Sequence, residues 1–280
     1  MLLHEHTVRF GDVMYGGRMH SARVFDLTIR ALESLTADFK KGFSDIISRD
    51  GVPYAPVDVR GSFPQYPSLG ETIHVSGTVL DVGSKHFEVE YRFETESGPL
   101  GRIRMVHITV APGGGAESLR PADREHLLDA RTSQVETKPL PGYSDGTEDP
   151  MTTFEKEVTF RSPYIEAAGL GYIEDYFGFI SAAVEDHLDA CGTPLSSMST
   201  GSPLVPVEFA FEFPKPIPFE DEIQICGRVL EVEPTQITVQ YELNAAETGE
   251  TRIQGRQKYA CFDDQQEETS FPERILIAFR

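Results

Sequence analysis

The sequence predicts an α+β protein made of one unit repeated in tandem, each copy being a helix followed by antiparallel strands. Three observations lead to this prediction. A shift of 150 residues aligns the two halves of the chain, apolar residues recur at helical spacing near the start of each half, and apolar and polar residues alternate in the segments that follow. At 280 residues the chain is long enough for two domains of ordinary size.

The repeat is clearest in one pair of predicted strands. At the shift of 150, residues 73–82 (IHVSGTVLDV) fall on residues 223–232 (IQICGRVLEV), with five identical positions. A general likeness among strands would explain shared Val and Ile, but it does not explain the shared Gly77 and Gly227 or the constant spacing. Further pairs meet at the same shift: Pro56 with Pro206, Tyr91 with Tyr241, and Arg102 with Arg252.

Each copy is expected to open with a short strand, over residues 6–10 and 154–160, followed by a turn that contains glycine and then by a helix. The helices are predicted from apolar residues at intervals of three and four. These residues are Val24, Leu27, Ala31 and Leu35 in the first copy, and Phe177, Ile180, Ala183, Val184 and Leu188 in the second.

The strands after each helix are expected to form sheets with one buried and one wet face. Residues 87–93 (FEVEYRF) and 237–243 (ITVQYEL) alternate strictly between apolar and polar side chains, and Gly or Pro occurs in the turns between strands. A sheet covered by one helix has two open edges, and pairing the two units edge to edge hides one edge of each. We therefore predict one continuous sheet, with a groove between the two helices as the concave site.

Composition divides the chain into four segments. The first unit is predicted over residues 1–112 and the second over residues 151–265. Residues 113–150 are rich in Gly, Pro and charged residues and are predicted to be a surface linker, with a short helix over residues 121–130. Residues 266–280 are predicted to be a C-terminal tail.

The charge and cysteine content exclude several classes of protein. The formal net charge of −20 argues against nucleic-acid binding, which needs a basic surface. No apolar run is long enough to span a membrane, and the first residues lack the layout of a signal peptide. The three cysteines lie far apart, so neither a zinc site nor a disulfide framework is predicted. The sequence thus predicts a cytoplasmic protein without a metal, a nucleic-acid partner or a membrane partner.

The start of each copy resembles a known family. Residues 8–25 (VRFGDVMYGGRMHSARVF) are similar to the opening of hotdog-fold acyl-CoA thioesterases of the 4-hydroxybenzoyl-CoA thioesterase type. In that family a strand is followed by Asp-x-Asp-x-x-Gly-His-Val-Asn/Tyr and a long helix. The resemblance covers about residues 4–112 and 154–263. Two such units in one chain resemble double hotdog proteins, in which a fused pair replaces the usual homodimer, and this implies an α+β double hotdog fold.

The resemblance also implies a catalytic carboxylate three residues before the turn glycine. In the second copy this position is Glu166, before Gly169, whereas in the first copy it is Met14, before Gly17. A carboxylate there can activate water or attack a thioester, and the N–H groups from Gly169 to Ile173 would hold the oxyanion. We therefore expect one active and one degenerate groove. The alternative is that Glu166 is a solvated acid near a helix start.

The first copy offers other polar groups around Gly17, namely Asp12, Tyr15 and His20. His20 could act as an acid or base, with Asp12 orienting it, and Tyr15 and Gly17 could contact substrate. Asp12 is also a residue type that stabilises turns, and a structural role is the alternative for His20. In the second copy, Tyr164 and Tyr172 are candidate hydrogen-bond donors to substrate, with core packing as the alternative.

These features predict a thioesterase that hydrolyses an acyl-CoA or acyl-carrier-protein thioester in lipid or polyketide metabolism. Coenzyme A or phosphopantetheine would be part of the substrate, and no separate cofactor is expected. Two alternatives stay open: another acyl-thioester enzyme, such as a dehydratase or acyltransferase, and a non-catalytic acyl-binding module. The chain is expected to be a monomer or a homodimer. Its negative charge favours a small-molecule thioester over an acidic carrier protein.

Overall fold

The structure is a computed structural model that describes most of the chain. The described residues are 1–14, 17–37, 54–110, 115–132, 140, 142, 149–164, 170–197, 202–263, 265 and 267–280. The first half contains β1 (Leu2–Thr7), α1 (Arg23–Leu35), β2 (Ala55–Ser62), β3 (Thr72–Val82), β4 (His86–Thr95), β5 (Gly98–Val110), β6 (Ala116–Glu117) and α2 (Pro121–Ala130). The second half contains β7 (Thr152–Thr159), α3 (Ile173–Ala190), β8 (Ser202–Glu212), β9 (Glu222–Val232), β10 (Gln236–Ala245), β11 (Thr251–Phe262), β12 (Glu268–Thr269) and α4 (Glu273–Phe279).

The strands form one sheet in which the two halves of the chain mirror each other. Ten strands follow the order β1-β3-β4-β5-β2-β8-β11-β10-β9-β7, with β6 paired to β5 and β12 paired to β11. The halves join where β2 runs antiparallel to β8, with Arg60 opposite Ala210. These two residues are equivalent in the register of 150, so a pseudo-twofold axis passes between them. The predicted α+β fold with edge-to-edge pairing is confirmed.

The difference in residue number between equivalent positions of the two copies changes twice along the chain. His6 lies opposite Ile73 and Val158 opposite Ile223, so the first strands correspond at 152 residues rather than 150. Residues of β2, β3 and β4 correspond to residues of β8, β9 and β10 at an offset of 150 residues. Phe93 pairs with Gly101, whereas the equivalent Leu243 pairs with Ile253, so the second hairpin contains two more residues between paired positions. Strands β5 and β11 therefore correspond at 152 again. The predicted match of Arg102 with Arg252 is wrong for this reason.

Each unit ends with a short strand and a helix that pack on it. The Leu119 N–H donates to the Ser84 carbonyl at 2.8 Å, and the equivalent Phe271 N–H donates to the Pro234 carbonyl at 2.7 Å. Leu119 and Phe271 are both buried. Helix α2 has the predicted bounds of 121 to 130.

Part of the predicted surface linker therefore packs against the first unit, because Leu119 and Leu127 supply buried apolar side chains. The predicted tail behaves similarly, since α4 buries Ile275 and Phe279. The four segment boundaries otherwise stay a prediction.

The two long helices cover one face of the sheet with the residues that the spacing predicted. All nine predicted apolar positions of α1 and α3 are buried. The shared glycines are also explained by packing. A Cβ atom at Gly77 would lie 2.3 Å from Leu3 Cδ1, and one at Gly227 would lie 2.3 Å from Phe154 Cζ. No helix in the described part of the chain is both long and apolar enough to cross a membrane.

Candidate active site

The N-terminal parts of the two long helices meet at the pseudo-twofold axis. Phe25 of α1 stacks on Phe177 of α3, with ring centroids 3.7 Å apart and an angle of 5° between the planes. Both side chains are buried. The predicted groove between the helices is therefore closed at its centre by two aromatic rings. We call the segment that leads into α1, from Asp12 to Arg23, the first mouth, and the start of α3, from Tyr172 to Asp175, the second mouth.

The turn that leads into α1 is held by Asp12. Its Oδ2 atom accepts hydrogen bonds from the Arg9 N–H and from His6 Nε2, both at 2.8 Å. Burial alone would raise the pKa of Asp12, but these hydrogen bonds outweigh it and the pKa lies below its usual value. Among the described contacts of the Asp12 carboxylate, none is to the ring of His20. These contacts favour the turn-stabilising role over the orientation of His20.

The ring of His20 is fixed by the backbone at the start of α1. Its Nδ1 atom accepts a hydrogen bond from the Ala22 N–H at 3.1 Å, and the backbone N–H of His20 donates to the Asp12 carbonyl at 2.8 Å. Burial and the nearby Arg23 lower the pKa of His20, so the ring is neutral at pH 7. Because Nδ1 accepts, the proton of the neutral ring belongs on Nε2. This arrangement suits a hydrogen-bond donor better than a general base.

The remaining candidates of the first mouth belong to the same turn. Gly17 has a φ of +78°, a conformation that glycine adopts at little cost, and its N–H donates to the Met14 carbonyl at 3.0 Å. Its own carbonyl accepts from the Leu69 N–H at 3.3 Å. Tyr15 lies outside the described residues. The contacts of Gly17 are those of a turn residue, and its role in substrate binding stays a prediction.

The second mouth lies at the start of α3. Glu166 and Gly169 fall outside the described residues, so the predicted carboxylate and turn glycine stay predictions. Helix α3 begins at Ile173, the last residue of the range from Gly169 to Ile173 that the resemblance implied, and no side chain hydrogen-bonds to cap it among the described residues. Of the N–H groups from Gly169 to Ile173 predicted to hold the oxyanion, those of Gly171 and Tyr172 already donate to carbonyls, at 2.9 and 3.0 Å, and are not free for this role. The Asp175 N–H donates to the Tyr172 carbonyl at 3.2 Å. The N–H groups of Ile173 and Glu174 have no acceptor among the described contacts and can bind an oxygen of a ligand. Tyr172, the residue before the helix, is 44% exposed.

Tyr164 has the contacts of a packing residue. Its ring lies edge-on to Phe179 at 4.9 Å and to Phe160 at 6.5 Å between centroids. Its carbonyl accepts the Tyr172 N–H at 3.0 Å, and this bond connects the 3-10 turn at Ser162–Tyr164 to the helix start. The packing alternative for Tyr164 is therefore favoured, whereas the hydroxyl of Tyr172 stays a candidate donor.

A charged network that sequence reasoning missed joins the two mouths. Arg23 Nε lies 3.5 Å from Asp12 Oδ1, and Arg23 Nη1 lies 3.5 Å from Glu174 Oε2 of α3. Burial raises the pKa of Asp175 to about 6, although Arg23 opposes this shift, and burial together with the charge of Asp26 raises the pKa of Glu174. A carboxyl group that titrates near neutrality at a helix mouth is suited to proton transfer.

Comparisons with known proteins were made at three levels. No protein-family model matches the sequence, and a search of curated proteins finds no match. Solved structures match over nearly the whole chain. One is a putative oleoyl thioesterase from Lactobacillus plantarum, with a TM-score of 0.74, 12% identity and 96% of each chain covered.

Two further solved structures match at similar length. The 12:0-ACP thioesterase from Umbellularia californica has a TM-score of 0.71 and 14% identity, over 92% of this chain and 93% of its own. An acyl-ACP thioesterase from Bacteroides thetaiotaomicron has a TM-score of 0.67 and 13% identity, over 91% of this chain and 96% of its own. Together with the mirrored twelve-stranded sheet, these matches show that the chain has the double hotdog fold of solved hotdog thioesterases.

Proposed function

We propose that the chain is an acyl thioesterase, which hydrolyses an acyl-CoA or acyl-carrier-protein thioester. The observation that supports this best is the agreement in fold with three solved thioesterases over more than 90% of the chain. Coenzyme A or phosphopantetheine would enter as part of the substrate, and the proposal requires no further cofactor. The chemistry is assigned to the mouth of α3.

In this proposal Glu166 acts as general base, in the position that the family motif gives it. The carboxylate takes a proton from water while the water oxygen bonds to the carbonyl carbon of the thioester. The N–H groups at the start of α3, around Ile173, stabilise the oxyanion that forms. When the oxyanion collapses, the carbon–sulfur bond breaks and the thiolate takes up a proton. Direct attack by the carboxylate, with an anhydride that water then opens, is the covalent variant of the same reaction.

The buried acids beside this mouth support the assignment to the second unit. Asp175, with a pKa of about 6, lies in the first turn of α3 and is partly buried. It can exchange a proton with solvent or with a leaving group near neutral pH. Among the described residues before α1, the position that corresponds to Glu166 holds Met14. Met14 has no acid–base function, and the Asp12 carboxylate is already engaged by His6 and the Arg9 N–H.

The location and partners of the enzyme are part of the proposal. We place it in the cytoplasm, as a monomer or homodimer that acts on a small-molecule thioester. The net charge of −20 would slow the encounter with an acidic carrier protein.

A free-thiol release assay tests the proposal. Purified full-length protein is incubated with acyl-CoAs of increasing chain length and with one acyl group on a carrier protein. We expect thiol release above the buffer blank for at least one substrate, and a loss of that release in Glu166→Gln. Tight binding of acyl-CoA without thiol release would support a non-catalytic acyl-binding module instead. A changed acyl group on an intact thioester would support a dehydratase.

A further inference from the structure

Arg18 is a buried cation at the first mouth, in the turn before α1. Only 4% of its surface is exposed. Its guanidinium carbon lies 4.6 Å from the ring centre of Phe262, which belongs to β11 of the other unit. Its Nη2 atom is buried and has no hydrogen-bond partner among the described residues. The negative charge of Asp263, next to Phe262, acts on this guanidinium, but Nη2 still has no acceptor among the described residues.

The second unit shows that the fold does not need a cation here. Arg18 forms a bridge with Ser68, and the equivalent bridge in the second unit joins Leu170 to Pro218. A leucine thus occupies the position that corresponds to Arg18. Asp263 offsets part of the charge of Arg18, but a buried guanidinium donor without an acceptor is still unfavourable. An arginine in a place where leucine suffices therefore points to a ligand with an acceptor oxygen.

The local backbone relates this cation to the ring of His20. Arg18 and Met19 both form antiparallel bridges, with Ser68 and Val13, so this short segment is extended. Alternate side chains of an extended segment point to the same side. An anion bound by Arg18 would consequently lie on the same side of the segment as the side chain of His20, beside the aromatic ring of Phe262.

We propose that the first mouth is a binding site for an organic carboxylate, held by the guanidinium of Arg18 with its apolar part against Phe262. The planar guanidinium matches the two oxygens of a carboxylate, and the aromatic ring favours an apolar tail. If the proposed function is correct, hydrolysis in the second mouth releases such an acid, so the degenerate first mouth would sense product. Only this identity of the ligand rests on the proposed function.

Isothermal titration of the full-length protein with hexanoate, octanoate and decanoate tests the site, with the corresponding alcohols as neutral controls. We expect saturable binding of a carboxylate and no comparable binding of its alcohol. Arg18→Leu should weaken carboxylate binding by about 10- to 100-fold, as expected for a hydrogen-bonded charge, and Arg18→Lys should weaken it less. Leucine is chosen because the second unit carries it at the equivalent position.

Arg228→Leu is the matched control, because Arg228 is half-exposed and its nearest acid, Glu242, is 3.9 Å away. This variant should bind carboxylates as the wild type does. Equal binding of acid and alcohol by the wild type, or unchanged binding by Arg18→Leu, would overturn the proposal. Arg18-dependent binding of inorganic phosphate or coenzyme A, without binding of carboxylates, would overturn it too. Isothermal titration measures binding and requires no catalysis. The test of the carboxylate site therefore remains valid even if the protein has no thioesterase activity.

Discussion

Phe25 and Phe177 are equivalent residues of the two copies, 152 positions apart, and their rings stack face to face at 3.7 Å. The stack lies on the pseudo-twofold axis, between the N-terminal parts of α1 and α3. It joins the units on the helix side of the sheet, as the pair Arg60 and Ala210 joins them within the sheet. The starts of both helices therefore lie next to the same aromatic contact.

Removing either ring of this stack should destabilise the whole chain. Phe25→Ala or Phe177→Ala leaves a cavity between the units, and such changes typically cost about 3–5 kcal/mol of unfolding free energy. Urea unfolding followed by circular dichroism measures the effect. Phe10→Ala is the control, because Phe10 is 84% exposed, and it should change the free energy by less than about 0.5 kcal/mol. Similar small values for all three variants would show that the stack is unimportant.

Alanine substitutions at two glycines of the second unit should change the stability of the protein in opposite directions. Gly227→Ala places a methyl group against the ring of Phe154 and should cost about 1–3 kcal/mol, as overpacking usually does. Gly178 lies inside α3, and a Cβ atom there meets nothing within 4 Å. Gly178→Ala should therefore stabilise by about 1 kcal/mol through helix propensity. Thermal unfolding of the two variants and the wild type measures the effect. A shift of the midpoint temperature in the same direction for both variants would contradict the prediction.

The fold could be predicted from the sequence because its signals are local and periodic. The buried faces of α1 and α3, the alternation in β4 and β10, and the repeated strand pair all follow from side-chain spacing. The two shifts in register could not be predicted, because they depend on loop lengths that the shared residues on either side do not reveal. Arg102 and Arg252 were matched by identity alone, although β5 and β11 correspond at 152.

The site was predicted less completely, because its properties arise where the two units meet. Asp175 looks like an ordinary acid in a first turn, and its pKa rises only because the folded chain partly buries it. Arg18 lies within the motif that suggested the family, but its contact with Phe262 joins residues 244 positions apart. Alternation within single elements carries no information about such contacts.

Acid should destabilise the protein through His107. Burial lowers the pKa of this histidine from 6.5 to about 3, and Tyr91 OH lies 3.3 Å from its Nε2 atom. Between these two values the unfolded chain binds a proton that the folded chain does not. The free energy of unfolding therefore falls as pH decreases from 6.5, by up to about 1.4 kcal/mol per pH unit from this group. Above pH 6.5 the group has no effect.

His107→Gln removes the titrating ring and keeps a polar side chain beside Tyr91. Urea unfolding at pH 7, 6 and 5 compares the variant with the wild type, so that contributions of other groups cancel. The wild type should lose more stability than the variant over this range. Parallel curves would mean that His107 becomes protonated inside the folded protein, or that its surroundings open to water.

The last prediction assigns the chemistry to one of the two mouths. Thioester hydrolysis at neutral pH needs an activated water or a carboxylate nucleophile, and Glu166 is the carboxylate that the family motif places before the glycine of the α3 turn. Glu166→Gln keeps the shape of the side chain and removes its basicity. It should lower kcat by about 10²–10⁴, which is typical for the loss of a general base. A thiol-release assay with the best acyl-CoA measures the loss.

Met14→Leu is the matched control, because Met14 occupies the corresponding position of the first copy and the change conserves volume. It should leave kcat nearly unchanged. His20→Ala should have a smaller effect than Glu166→Gln, because the neutral ring accepts from the Ala22 N–H through Nδ1 and has only a proton to offer at Nε2. Full turnover by Glu166→Gln combined with its loss in His20→Ala would move the active site to the first mouth. Thioester hydrolysis based on a carboxylate would then give way to an acid–base reaction centred on His20.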